Sequence, residues 1–242
     1  MARLLLGSGG LSTDARRKAW TAELDDFLGP VQSLLFVPYA LEQHDRYVDT
    51  MARLGLHAGR TVRGLHREAD PAGAVALAEA ISVGGGNTFR LLDTLQRMGL
   101  LAAIRARVLL GMPYVGISAG TNLACPTIKT TNDMPIVWPR SADALGLVPF
   151  QVNPHYVPGA LFTREVAWYV RYGGETRDDR LREFHEENAV PVLALREGSI
   201  LRVEGAAATI RGAAGARLFE KGKAPADLDV GADVSELLAG RA

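Results

Sequence analysis

Gly116-Ile117-Ser118-Ala119-Gly120 decides how this chain is read. The five residues fit G-x-S-x-G. Before them, Val108-Leu109-Leu110-Gly111-Met112-Pro113-Tyr114-Val115 reads as a buried strand, and after them Ala119 to Ala124 can start a helix. A sharp strand-to-helix turn lifts the serine oxygen into the open and sets it near the positive end of the helix. The flanking glycines fit, because such a turn leaves no room for side chains beside the serine. The same residues also suit a tight βα turn that only packs its helix against a sheet. The surrounding pattern therefore has to carry part of the argument.

Working outward, short apolar runs alternate with amphipathic stretches. Strands are expected at Arg3–Leu6, Ser33–Val37, Thr61–Leu65, Ala80–Val83, Tyr114–Ile117, Gly146–Val152 and Val190–Leu195. Helices are expected at Thr13–Leu28, Leu41–Leu54, Ala72–Glu79, Thr88–Gly99, Leu101–Arg107 and Thr176–Asn188. This alternation implies an α/β fold: a mostly parallel sheet with helices on both faces and a ligand site beyond the carboxyl ends of the strands. Towards the end, Ser199–Val203, Ala208–Arg211 and Ala216–Glu220 read as an antiparallel meander at the sheet edge, and Val234–Leu238 as a short closing helix. With no internal repeat or low-complexity linker, residues 1–242 read as one domain.

Composition narrows the function. Lys+Arg and Asp+Glu both number 27, so no excess positive charge exists to displace phosphate counterions, which argues against a general nucleic-acid binder. Cys125 is the only cysteine, so no intrachain disulfide can form, which fits a cytoplasmic protein. The apolar run after Met1 is too short for a signal peptide, and no run approaches the length of a membrane helix.

A nucleophilic serine needs an oxyanion hole, a base and an orienting group. Gly84-Gly85-Gly86-Asn87-Thr88 follows one strand and opens a helix. Backbone donors at Gly85, Gly86 and Ala119 would serve a developing oxyanion. The cluster also suits a flexible turn, and it lacks the spacing of a P-loop or a dinucleotide fingerprint. Of five histidines, His57 and His66 flank a polar, exposed-looking loop, and His44 and His185 fall in charged helical stretches. His155, in Asn153-Pro154-His155-Tyr156, follows the expected strand Gly146–Val152 at its carboxyl end, where catalytic groups gather. Two carboxylates could orient it: Asp133, in a polar turn after the elbow, and Glu197, after the strand Val190–Leu195. Spacing does not choose between them.

These residues together resemble peptidase E, the α-aspartyl dipeptidases, with the cyanophycinases as wider relatives. The densest match runs from Gly116 through Pro135 and contains Ser118-Ala119-Gly120-Thr121-Asn122 and Thr130-Thr131-Asn132-Asp133-Met134-Pro135. Val83 to Phe89, Asn153-Pro154-His155, Gly174-Glu175-Thr176-Arg177 and Arg196-Glu197-Gly198 follow the family pattern in order. The resemblance implies a fold like the class I glutamine amidotransferases and hydrolysis of dipeptides that begin with aspartate, without a metal or other cofactor. It implies a triad of Ser118, His155 and Glu197, with Asp133 as the alternative third member. Arg177 would grip the substrate's carboxylate with a bidentate guanidinium, Glu175 would receive its free amine, and Asn87 would line the site. A homodimer or higher homo-oligomer is also implied.

Two stretches depart from the family. The segment between His155 and Glu175 is longer than usual, and Phe162 to Tyr172 reads as an extra helix with an aromatic face, either surface packing or a lid or subunit contact. Ser8-Gly9-Gly10 replaces the more polar side chains expected after the first strand, and bears on how the substrate end is held.

Overall fold

A computed structural model describes residues 2–159, 162–165, 168–171 and 174–240. The order begins β1 (Arg3–Gly7), α1 (Asp14–Leu28), β2 (Ser33–Val37), α2 (His44–Arg53), β3 (Thr61–Gly64), α3 (Pro71–Leu77) and β4 (Ile81–Val83). It continues with α4 (Thr88–Arg97), α5 (Leu101–Leu109), β5 (Tyr114–Ile117) and α6 (Ala119–Ala124). The second half holds β6 (Gln151–Tyr156), β7 (Phe162–Glu165), β8 (Trp168–Arg171), α7 (Arg177–Glu187) and β9 (Val192–Arg196). It ends with β10 (Ser199–Glu204), β11 (Ala207–Gly212), β12 (Ala216–Phe219), β13 (Ala226–Leu228) and a 3-10 turn at Ser235–Ala239.

A seven-stranded sheet runs β11-β10-β1-β5-β4-β2-β3. Its β1, β5, β4, β2 and β3 are parallel, and β10 and β11 add an antiparallel edge. Of the parallel strands, β1, β2, β4 and β5 are buried on both faces, and their alternate residues feed two cores, whereas β3 at the edge exposes Thr61 and Arg63. Leu4, Leu6, Leu35, Val37, Ile81 and Val83 face the cluster completed by α3 to α6. Leu5, Leu34, Phe36, Val115 and Ile117 face Trp20, Leu24 and Phe27 of α1 and Val48 and Met51 of α2. This is the expected α/β architecture, since βαβ crossovers place helices over both faces.

Local signals start the helices where expected. Thr13, Asp70 and Asn87 each accept a bond from a first-turn N–H of α1, α3 or α4, satisfying a donor with no intrahelical partner. Thr176 and Asp179 form a reciprocal capping box at the start of α7.

The second half departs from the sequence reading. A separate four-stranded sheet, β13-β12-β9-β6, holds what the alternation assigned to one sheet. The meander splits: β10 and β11 stay on the large sheet, while β12 pairs with β9 and β13. The strand expected at Gly146–Val152 is instead β6, so His155 lies inside a strand rather than after one. Ahead of the elbow, Val108 and Leu109 close α5, and only Tyr114–Ile117 is strand. The helix expected over Phe162 to Tyr172 is a β-hairpin, with β7 and β8 paired antiparallel as their own two-stranded sheet. Its β-branched and aromatic content favours strand over helix. The aromatic face proposed for it concerns side chains outside those described.

Candidate active site

The elbow forms at the junction of β5 and α6. Ser118 carries φ 55° and ψ −107°, a left-handed conformation unusual for a residue with a side chain. Close packing enforces it. A Cβ on Gly120 would lie 2.2 Å from the Val83 carbonyl oxygen, and one on Gly116 would lie 2.6 Å from the Gly120 carbonyl oxygen. The Ser118 N–H donates to the Gly7 carbonyl at 3.0 Å, fixing the turn to the end of β1.

His155 reaches Ser118 from the second sheet. In the parallel pair of β6 and β9, Asn153 faces Ala194 while Tyr156 faces Arg196, so Pro154-His155 makes a bulge. Bulges re-aim side chains, and His155 takes φ 57°. Its Nδ1 lies 2.7 Å from Glu197 Oε1 and its Nε2 lies 2.7 Å from Ser118 Oγ. A carboxylate only accepts, so Nδ1 carries the proton and Nε2 is free to accept from the serine hydroxyl. Glu197 sits in the turn between β9 and β10, where the two sheets meet. All three side chains are half-buried.

Asp133, the other candidate partner for His155, is bound elsewhere. Its Oδ2 accepts from Thr88 N at 2.8 Å, Thr88 Oγ1 at 2.6 Å and Thr131 Oγ1 at 3.1 Å. It ties the turn after the elbow to the N-terminus of α4, where a negative charge is favourable. Asn87 is similarly engaged: Oδ1 accepts from Arg90 N at 3.0 Å and Nδ2 donates to the Met134 carbonyl at 2.8 Å. Its side chain builds the loop instead of reaching into open space.

Gly85 stands against the serine, where an added Cβ would lie 3.1 Å from Ser118 Cβ. The Gly85 backbone hydrogen-bonds the Tyr47 hydroxyl, whose pKa burial pushes up to about 12. Gly86 takes φ 129° beside the Ala40 carbonyl, and Ala119 opens α6 ahead of its first intrahelical bond.

Arg177, the first residue of α7, lines a small cleft with Thr130, Thr131, Asn132 and Asn153. Burial, then the nearby Arg180, lowers its pKa from the usual guanidinium value, and Asp133 opposes that shift. Among the described residues it has no carboxylate within ion-pair distance. Glu175, expected to receive an amine, is exposed and paired with Arg180. Asn153 was not singled out as a site residue. Its Nδ2 donates to the Thr130 carbonyl and Asn132 Oδ1, which fixes the amide's orientation and leaves Oδ1 buried without a partner in this cleft. Pro154 inside the run was the signal that a strand here would be bulged.

The remaining histidines stay outside this arrangement. His57 is buried rather than in an exposed loop, packed edge-on against Phe36. His185 is also buried, with Nδ1 on the Asn188 carbonyl, and His66 pairs with Asp45. No group of three His, Cys, Asp or Glu suited to a metal occurs among the described residues.

An elbow serine bonded to an imidazole that is bonded in turn to a carboxylate, on an α/β scaffold, has the form of a serine hydrolase. Residues 3–211 match the model of peptidase family S51. The chain is 53% identical over 215 residues to Peptidase E of Streptomyces coelicolor, covering 88% of this chain and 84% of that one. It is 44% identical over 238 residues to a probable alpha-aspartyl dipeptidase of Drosophila melanogaster, covering 97% and 96%. Two crystal structures share the fold. One, of a putative peptidase E from Listeria monocytogenes, has TM-score 0.64 at 22% identity, covering 88% of this chain and all of that one. The other, a peptidase from an acI-B1 actinobacterium, has TM-score 0.66 at 18% identity, covering 97% and 96%. The chain belongs to peptidase family S51.

Proposed function

We propose that this protein is a serine dipeptidase that cleaves peptides beginning with aspartate, through an acyl-enzyme on Ser118. The observation that carries the reading is the unbroken chain from Ser118 Oγ through His155 to Glu197, with both links at 2.7 Å. Ser118 attacks the carbonyl of the first residue as His155 Nε2 takes its proton. Glu197 holds the imidazole tautomer and stabilises the imidazolium. His155 then gives the proton to the leaving amine; a water that loses its proton to His155 attacks the ester carbonyl, and Ser118 leaves with that proton as aspartate is released. The N–H groups of Gly86 and Ala119, with Gly85 beside them, hold the oxyanion.

Arg177 takes the aspartate side chain in this reading. The relatives' names support that substrate, and so does a half-buried cation without a carboxylate partner among the described residues. Asn153 Oδ1 offers the same cleft an acceptor for the substrate's ammonium. The zero net charge fits a small peptide partner and no nucleic acid. No helix of the described residues is long and apolar enough to cross a membrane. A cytoplasmic location and a homodimer or higher homo-oligomer complete the reading.

A substrate panel tests it. Purified protein should cleave Asp-Leu and leave Leu-Asp intact. Preference for an isoaspartyl peptide or cyanophycin would assign the site to another acidic substrate. Inertness towards every member would contradict a peptidase role.

A further inference from the structure

We propose that Ser8 is a positioning residue that holds His155 in line with Ser118, a role that rests on the reading of Ser118, His155 and Glu197 as the reacting groups. The problem it solves is geometric. The nucleophile rides on the large sheet, whereas the imidazole is presented by β6 of the small one and the carboxylate by the turn joining the two. Catalysis by such a set depends on placement to within about 1 Å.

The segment Gly7 to Gly10, at the end of β1, touches all three. The Gly7 carbonyl accepts from Ser118 N at 3.0 Å and from Thr121 Oγ1 at 2.8 Å, which fixes the elbow. Ser8 is fully buried; its Oγ donates to the Leu195 carbonyl at 3.0 Å and accepts from His155 N at 2.9 Å. One hydroxyl proton and one lone pair are thus assigned, and each direction is forced by its partner. The His155 N–H belongs to a bulge, where the extra residue loses its ladder partner. Ser8 supplies the missing acceptor and so holds the left-handed backbone of His155. The Ser8 N–H donates to the Ser199 carbonyl at 2.9 Å, and the Gly9 carbonyl accepts from Gly198 N at 3.2 Å, which fastens the turn that carries Glu197.

Gly9 and Gly10 complete the saddle. A Cβ on Gly9 would lie 2.5 Å from His155 Cε1, and one on Gly10 would lie 2.3 Å from Glu197 Oε2. This stretch therefore packs closely against the imidazole and the carboxylate.

Ser8→Ala removes the shared oxygen and leaves two buried backbone groups unpaired. The imidazole should then withdraw from Ser118. Turnover of Asp-Leu is expected to fall at least tenfold in kcat with KM within twofold, measured well below the unfolding temperature. The low-field proton resonance of His155 Nδ1–H should broaden or disappear. A merely structural role would lower the unfolding midpoint but leave kcat of the folded protein and this resonance unchanged. Ser8→Cys nearly keeps the side-chain volume but bonds only weakly to both backbone groups, so it should also lower kcat, and it provides the test if Ser8→Ala does not fold. Wild-type kcat in folded Ser8→Ala, or in folded Ser8→Cys where Ser8→Ala cannot be obtained, would overturn the proposal. Ser118→Ala is run beside them: if it keeps turnover, the reading of the site fails, whereas loss there with wild-type kcat in Ser8→Ala removes only the role of Ser8.

Discussion

Glu197→Gln keeps the shape of the side chain and removes its charge. The amide can still reach His155 Nδ1, but it no longer stabilises the imidazolium and can present the wrong partner to the ring. kcat is expected to fall by ~10³–10⁴. Asp133→Asn should cost much less in kcat, because Asp133 binds Thr88 and Thr131 and not the imidazole. Steady-state kinetics of the two variants side by side check this, and a larger loss for Asp133→Asn would reverse the assignment. At this scale Ser118, His155 and Glu197 were legible as types and positions. The choice between two carboxylates was not, because it depends on how β9 and the turn after it meet β6 in space. Ser8 was visible as unusual but not as a clamp, since its partners Leu195 and His155 lie far along the chain.

The elements most legible in the sequence were the buried parallel strands, whose apolar runs are unbroken on both faces. Leu4-Leu5-Leu6, Ser33 to Val37 and Tyr114 to Ile117 fell where expected. β6 was misplaced because its far end, Asn153-Pro154-His155, is too polar to read as strand. β12 was assigned to the wrong sheet because alternation along one strand does not name its neighbour. Among the described residues, the hairpin of β7 and β8 shares no ladder with either larger sheet. Replacing residues 160–172 by a short Gly-Ser turn should therefore leave the fold intact, with an unfolding midpoint close to wild type by circular dichroism. The same replacement shortens the link between His155 and Arg177, so KM for Asp-Leu should change more than kcat. Loss of cooperative unfolding would show that the hairpin is integral to the core.

For the whole molecule, a buried histidine sets a dependence of stability on acid. His57 lies in the core around Phe36, both ring nitrogens lack partners, and burial lowers its pKa from 6.5 to about 4. The unfolded chain takes up this proton more readily than the folded one. The contribution is therefore fully present above pH 6.5 and is lost as the pH falls towards 4, by about 3 kcal/mol in all. Urea unfolding between pH 7.5 and 4.5 should show this loss, and His57→Phe should flatten the slope; an unchanged slope would mean that other groups cause it. The loop around His57 read as exposed because glycines and polar residues flank it, and only the packed fold reveals its burial. The central claim about the molecule is that two sheets bring their groups together at one nucleophile. The most direct test is kcat for Asp-Leu hydrolysis by Ser118→Ala, with folding verified by circular dichroism. The expected result is a fall of ~10⁴-fold or more. Retention of even about a hundredth of wild-type turnover, well above the residue left when a nucleophile is removed, would contradict it.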